Sequence, residues 1–247
     1  MSKRKCARMV CMKVSYAFVV FAALFVTCLL TANIIGGKMV GFGFVSLPAA
    51  VVLFPFSYIF GDILTEVYGY RQARRIIWLG FACNLIFVVF AWIGQVLPPA
   101  PLWTNQSAYV AILGNTPRLL AASFLGNMVG EFANSYVLAR MKLLTKGRWL
   151  WTRTIASTIV GEGLDTVIFD AGAFAGMPFF TPAVILYHWT AKVLIEAIAT
   201  PATYVAVNRL KRHEGVDTFD TGTNFNPFAL WQKRAAATPA APAPSGK

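Results

Sequence analysis

Charge is scarce in this sequence. Only 13% of its residues are Asp, Glu, Lys or Arg, where a soluble domain carries about 25%. Hydrophobic residues make up 57% and the mean hydropathy is +0.60, which excludes an ordinary soluble globule. Histidine is rarer still, with two in 247 residues, and there is no HExxH and no His-rich set on which to build a metal centre. The four cysteines, Cys6, Cys11, Cys28 and Cys83, show no CxxC or Cys/His ligand spacing and imply no disulfide framework. No nucleophile elbow and no GxxxxGK(S/T) phosphate loop occurs, so any use of ATP would need a partner. With these absences, no cofactor, no metal and no enzymatic activity are expected.

What the chain does have is long apolar runs. Six can be drawn, at approximately Tyr16–Ile35, Phe44–Glu66, Ile76–Leu97, Leu119–Leu138, Ile155–Phe174 and Ala183–Val207. Each is about the 20 residues a helix needs to cross roughly 30 Å of hydrocarbon, which predicts an all-α integral membrane protein with six transmembrane helices. The net charge of +12 is distributed by the runs. Five Lys and Arg precede the first run, three (Arg71, Arg74, Arg75) follow the second, five (Arg140, Lys142, Lys146, Arg148, Arg153) follow the fourth, and six end the chain. That puts 19 on one side, against Lys38 and Arg118 on the other, with Lys192 inside a run. The positive-inside rule then places both termini in the cytoplasm. Such a pattern reports orientation, and nucleic acid is not an expected partner. The first run exceeds a signal-peptide core and should stay in place as a membrane helix. The expected organisation is a basic cytoplasmic N-tail (1–14), a transmembrane domain (15–212) and a disordered Ala/Pro-rich cytoplasmic tail (213–247).

Acids sit inside these runs, where spanning a membrane does not call for them. Glu162 and Asp165 are three residues apart near the middle of the fifth run, on one helical face with Thr158. A carboxylate near the bilayer centre costs about 2.5–3.5 kcal/mol on insertion scales unless it meets a partner, a proton or water. The fourth run carries Asn127, Glu131 and Asn134 on one face, with Gly126 and Gly130 beside them, and the sixth carries His188, Lys192 and Glu196. Each stripe has a plain reading: asparagines as interhelical glue, Lys192 as a structural counter-charge, His188 as a satisfied boundary residue. Three stripes at one depth point instead to a functional cavity. Its acids outnumber Lys192, so it favours cations, protons or neutral molecules rich in N–H donors, and a guanine-like edge suits a carboxylate. Phe132, Phe169, Tyr187 and Trp189 are candidate stacking faces.

The second run is irregular, with Pro48 and Pro55 inside it and a polar end at Asp62, Thr65 and Glu66. Two readings stand: a broken helix beside a cavity, or a helix ending early with Asp62 and Glu66 paired to Arg71 and Arg74 at the headgroups. Gly61-Asp62, Gly130-Glu131 and Gly161-Glu162 hint weakly at duplication.

Asp62-Ile-Leu-Thr-Glu-Val-Tyr-Gly-Tyr70, with Arg74-Arg-Ile-Ile-Trp78 after it, resembles the signature of the queuosine precursor transporters, the VUT-type family of six-span membrane proteins. Gly130-Glu-Phe-Ala-Asn-Ser-Tyr136, the Arg153–Asp165 block and Lys192-Val-Leu-Ile-Glu196 agree, and the resemblance covers about residues 16–212. It implies import of 7-cyano- and 7-aminomethyl-7-deazaguanine across the bacterial inner membrane for queuosine salvage. The expected substrate-binding residues are Glu131, Asn134, Glu162, Asp165, Lys192 and Glu196, with Asp62, Glu66, Asn127 and Thr158 as secondary candidates. The expected partners are a small 7-deazaguanine base and the lipid bilayer, with self-association left open. Two other classes compete: the substrate-binding membrane subunit of a multi-component ATP-driven vitamin importer, and a membrane-embedded acid-dyad hydrolase.

Overall fold

The computed structural model describes residues 15–42, 45–114, 117–177 and 180–229. Six long helices dominate: α1 (Tyr16–Ile35), α2 (Phe54–Tyr68), α3 (Tyr70–Val96), α5 (Pro117–Leu144), α6 (Leu150–Phe174) and α7 (Pro182–Glu214). A short helix, α4 (Gln106–Leu113), lies in the connection from α3 to α5. By length and composition α1, α3, α7 and the stretch Ala49–Tyr68 suffice to cross a membrane. Helices α5 and α6 are long enough, at 28 and 25 residues, but carry the interior acids and asparagines.

The first run is met residue for residue by α1, whose N-terminus is capped by the Ser15 hydroxyl accepting from the Phe18 amide at 3.1 Å. The second run is corrected. Its first part is no helix: β1 (Met39–Phe42) and β2 (Val45–Pro48) form an antiparallel hairpin, followed by a 3₁₀ turn at Ala49–Val52. Pro55 explains the late start, because a proline in the first helical turn gives up an amide that has no intrahelical partner anyway. The expected loop after α2 shrinks to Gly69, whose φ of +86° favours glycine and whose Cβ would lie 2.7 Å from Thr218. Arg71, Arg74 and Arg75 therefore belong to the opening turns of α3. At the other end of the chain, α7 continues to Glu214, and residues 215–229 lie against α3 and α5 through contacts given below. The N-tail 1–14 and residues 230–247 fall outside the described residues.

Two apolar clusters flank a polar interior. Phe25 and Leu29 of α1 pack on Leu64, Ile77, Phe81 and Phe132, while Ile63 and Val67 of α2 pack on Leu150, Val207 and Leu210. The Ser15 hydroxyl and Tyr68 hydroxyl both donate to the Glu214 carboxylate, so the start of α1 and the ends of α2 and α7 share one end of the bundle. Helices α5 and α6 approach most closely, and glycine permits it. A Cβ on Gly161 would stand 2.7 Å from the Asn134 Cβ and 2.9 Å from the Gly130 carbonyl. Gly161→Val should therefore push the helices apart and lower the melting midpoint in detergent, by the roughly 1–3 kcal/mol that overpacking costs. Gly41→Ala, where a Cβ meets nothing within 4 Å, should leave it unchanged. Equal midpoints for the two variants would mean the contact is not tight.

Candidate functional site

The interior is built around one ammonium group. Lys192 of α7 is 1% exposed, and its Nζ lies 2.6 Å from Asp165 Oδ2 and 2.9 Å from Glu162 Oε2. It also sits 4.3 Å above the Phe54 ring, a cation–π contact. The three-residue spacing on α6 places both carboxylates toward α7, so one cation bridges them. Gly126 makes room: a Cβ there would come within 2.8 Å of Asp165 Oδ1.

A second layer joins α2 to α5. Asn134 Nδ2 donates to Asp62 Oδ1 at 2.7 Å, and the Ser57 hydroxyl donates to Glu131 Oε1 at 3.1 Å. The Tyr58 hydroxyl occupies the space left by Gly130, where a Cβ would approach it to 2.6 Å. Several buried oxygens of this layer have no hydrogen-bond partner among the described residues: Asp62 Oδ2, Glu131 Oε2, Asp165 Oδ1, Thr158 Oγ1 and both oxygens of Glu196. Neighbours that accept without donating leave the interior rich in acceptors and short of donors.

Glu66 belongs elsewhere. It takes a bidentate pair from Arg153, at 2.9 Å from Nε and 2.7 Å from Nη2, with Lys211 Nζ at 2.5 Å and Lys142 Nζ at 3.4 Å. Arg74 turns away from the acids and donates to the carbonyls of Asn224 and Asn226 at 2.9 and 2.7 Å. Lys142 also donates to Asp217 at 2.6 Å and to the Thr218 carbonyl at 2.8 Å. Burial alone would raise the Asp217 carboxyl, but hydrogen bonds and charge from Lys142 and Lys211 hold it below its ordinary value. Its contribution to stability is therefore full above the unfolded value and fades as the pH falls through the folded one. Asp220, which accepts from the Tyr70 amide at 2.9 Å, is raised by burial and contributes in the opposite sense.

At the far end of the interior, Asn127 lines a cavity of about 30 Å³ with Asn33, Ser123, Phe54 and Phe169. Such a volume holds about one water and no bicyclic base. His188 is 1% exposed with Nδ1 3.2 Å from Asp170, while its buried Nε2 has no hydrogen-bond partner among the described residues, so it is only half satisfied.

The expected residues thus divide. Glu131, Asn134, Asp62, Glu162, Asp165, Lys192, Glu196 and Thr158 are buried between α2, α5, α6 and α7, whereas Asn127 lies in the outer cavity and Glu66 in the ion-pair network. Of the candidate stacking faces, Phe132 packs on Trp78 in the apolar cluster, Trp189 donates to the Ile159 carbonyl, and Phe169 lines the cavity beside Asn127. Sequence reasoning missed Ser57 and Tyr58, although Ser57, Gly61, Thr65 and Tyr68 recur at helical spacing on α2. It also missed Phe54 and the Asp170–His188 pair, for which no spacing signal exists.

Because Lys192 has two carboxylates, losing one leaves it paired. Glu162→Gln and Asp165→Asn should each fold with modest loss of stability. The double variant strands a buried ammonium and should lose about 3–5 kcal/mol, read as a lower melting midpoint in detergent. A double variant as stable as the parent would mean the pair does not hold Lys192.

A family profile described as "putative vitamin uptake transporter" matches residues 48–206. The chain is 32% identical over 160 residues to the "Probable queuosine precursor transporter" of Bacillus subtilis (strain 168), covering 62% of this chain and 68% of that protein. It is 27% identical over 143 residues to the "Queuosine precursor transporter" of Escherichia coli (strain K12), covering 58% of this chain and 61% of that one. No solved structure matches. The matched region contains Lys192 and every acid of the interior layer, and stops before Lys211 and the segment 215–229. The chain belongs to this vitamin uptake transporter family and is a multi-pass bacterial membrane protein.

Proposed function

We propose that this protein imports queuosine precursors, the 7-cyano- and 7-aminomethyl-7-deazaguanine bases, across the bacterial inner membrane. The names of both relatives support this reading, and one observation in the chain carries it to the level of chemistry. Five buried carboxyl groups, Asp62, Glu131, Glu162, Asp165 and Glu196, share the interior with a single ammonium, and each of the first four keeps an oxygen without a hydrogen bond among the described residues. Phosphates and carboxylic acids are repelled by such a site. A guanine edge supplies two adjacent N–H donors, and a protonated aminomethyl group adds a third kind. Glu131 and Glu162, on facing helices, are the residues proposed to read that edge, with Asp165 and Lys192 fixing Glu162, Asn134 fixing Asp62, Asn127 lining the way in and Thr158 the way out. No observation favours the ATP-driven importer subunit or the hydrolase.

The bundle is closed around this layer, so uptake requires it to open alternately at each end. At one end that means separating Glu66 from Arg153 and Lys211; at the other, widening the cavity beside Asn127. We further propose that the Glu66 end is cytoplasmic and that six helices span. The 19 Lys and Arg of the sequence pattern and the shared end of Ser15 and Glu214 support this.

Counterflow of labelled base in proteoliposomes tests the cargo. Competition should rank guanine-like bases at least tenfold above analogues lacking the 2-amino group, because each charge-assisted hydrogen bond is worth roughly 1.5–3 kcal/mol. Glu131→Gln or Glu162→Gln at the reading position should flatten that ranking, and Asp165→Asn should lose uptake while still expressing. Equal affinity for both kinds of base would mean that no carboxylate reads the edge. For topology, reporters fused after Lys142 and Lys211 should register cytoplasm, and those at Asn105 and Gly176 periplasm. A periplasmic signal at Lys142 would overturn the six-span arrangement.

A further inference from the structure

Glu196 is the interior acid that the reading of the guanine edge leaves unused. It stands on the buried face of α7, one turn beyond Lys192, and is 1% exposed. Neither of its carboxyl oxygens has a hydrogen-bond partner among the described residues. Each other acid of the layer has a hydrogen-bond or ion-pair partner: Asn134 on Asp62, Ser57 on Glu131, and Lys192, which donates to Asp165 and pairs with Glu162.

The charged groups around it offer no relief. Those acting on it through space are Asp62 of α2, Glu162 of α6 and Glu131 of α5, all acids. Lys192, on its own helix, is held by Glu162 and Asp165. The 3₁₀ turn and β2, which also pack on α7, contain no titratable residue. Tyr58 and Thr203 bring neutral hydroxyls, and these are likewise unpartnered. Among the described residues, no three His, Cys, Asp or Glu side chains come close enough to share a metal ion. What such a carboxyl accepts most readily at this depth is a proton.

We propose that Glu196 carries a proton inward with each molecule of cargo, making this protein a proton symporter; the inference rests on the 7-deazaguanine cargo proposed above. Open to the outside, the carboxylate takes a proton from water, forming one O–H bond and losing its charge. The loaded bundle then closes with Lys192 still held by Glu162 and Asp165. Open to the cytoplasm at the Glu66 end, that O–H bond breaks and the proton passes to water as the base leaves. The empty carrier returns with Glu196 ionised, and Lys192, four residues away on the same helical face, is within reach to partner it. A carrier that must switch partners in this way returns without the proton, which is what couples the two fluxes.

Steady-state accumulation in proteoliposomes tests this, because the ratio of inside to outside base does not depend on how fast a variant works. With the lumen one pH unit above the outside and the membrane potential clamped at zero, 7-cyano-7-deazaguanine should accumulate up to about tenfold in the parent protein. In Glu196→Gln the ratio should fall to about one. As a check that needs no variant, an apolar carbodiimide, which attacks protonated buried carboxyls, should label Glu196 in the purified parent, with yield falling as the pH rises. A parent ratio of one, a ratio that follows a sodium gradient instead, a tenfold ratio retained by Glu196→Gln, or labelling of Asp62 or Glu131 without Glu196 would each overturn the proposal. Should Glu196→Gln be inactive, the labelled residue decides the assignment. Counterflow without any gradient separates the two readings: its absence in the parent removes the cargo and this inference together, whereas counterflow with no response to pH removes the proton alone.

Discussion

The interior depends on the ammonium of Lys192 lying between two carboxylates of one helix. Asp165 and Glu162 would repel each other at this depth, and a lysine without them would be a bare charge in hydrocarbon. Together they fix the rotation of α6 against α7 and draw Phe54, at the start of α2, over the cation. The helix that carries Phe54 also brings Ser57 to Glu131 and Asp62 to Asn134, so four helices are registered by contacts that begin at one group. A buried ion pair alone is weak support for stability, since apolar substitutes often do as well. Its retention among so many acceptors fits a site whose polarity serves a ligand.

Glycine is what lets the acids meet. Gly61, Gly130 and Gly161 each precede an acid, and each is a point of close approach: to Glu131, to Tyr58 and Asp165, and to Asn134 respectively. The recurring Gly-acid pair, a weak hint of duplication as sequence, has a common physical use. The glycine removes the Cβ that would hold two helices apart, and so lets helices that carry interior acids come into contact. This explains how α5 and α6 pack closely despite the acids and asparagines they carry.

Most of this layer could be read from the chain because depth in a membrane is measured along one helix. Glu162 and Asp165 stood out by lying mid-run, and Lys192 and Glu196 by sharing a face. The partners were harder to see. Glu66 lies 87 positions from Arg153, and nothing in spacing reveals that it belongs to an ion network at the bundle's end and not to the site. The hairpin before α2 was hidden because a short apolar run of Val and Leu reads alike as buried strand or helix. The segment 215–229 looked like an unstructured tail since its composition is polar. Composition does not register that its main-chain carbonyls accept from Arg74 and Trp78, or that Asp217 and Asp220 find Lys142 and the Tyr70 amide.

The two ends of the bundle are closed by different physics, and that asymmetry bears on direction. At the Glu66 end, Arg153, Lys142 and Lys211 converge on one carboxylate, and residues 217–228 bind across the ends of α3 and α5. Opening there breaks several charge-assisted hydrogen bonds, although water at that end can replace them. At the other end, closure rests on apolar walls, the chain of Asn33, Ser123 and Asn127, whose links are 3.4 Å long, and Arg118, which donates to the Gly172 and Ala175 carbonyls at 2.7 and 2.6 Å. Fewer charge-assisted hydrogen bonds are lost in opening that side, which favours its opening in a carrier at rest. For the import and orientation proposed above, that bias leaves the empty site facing the side from which the solute arrives.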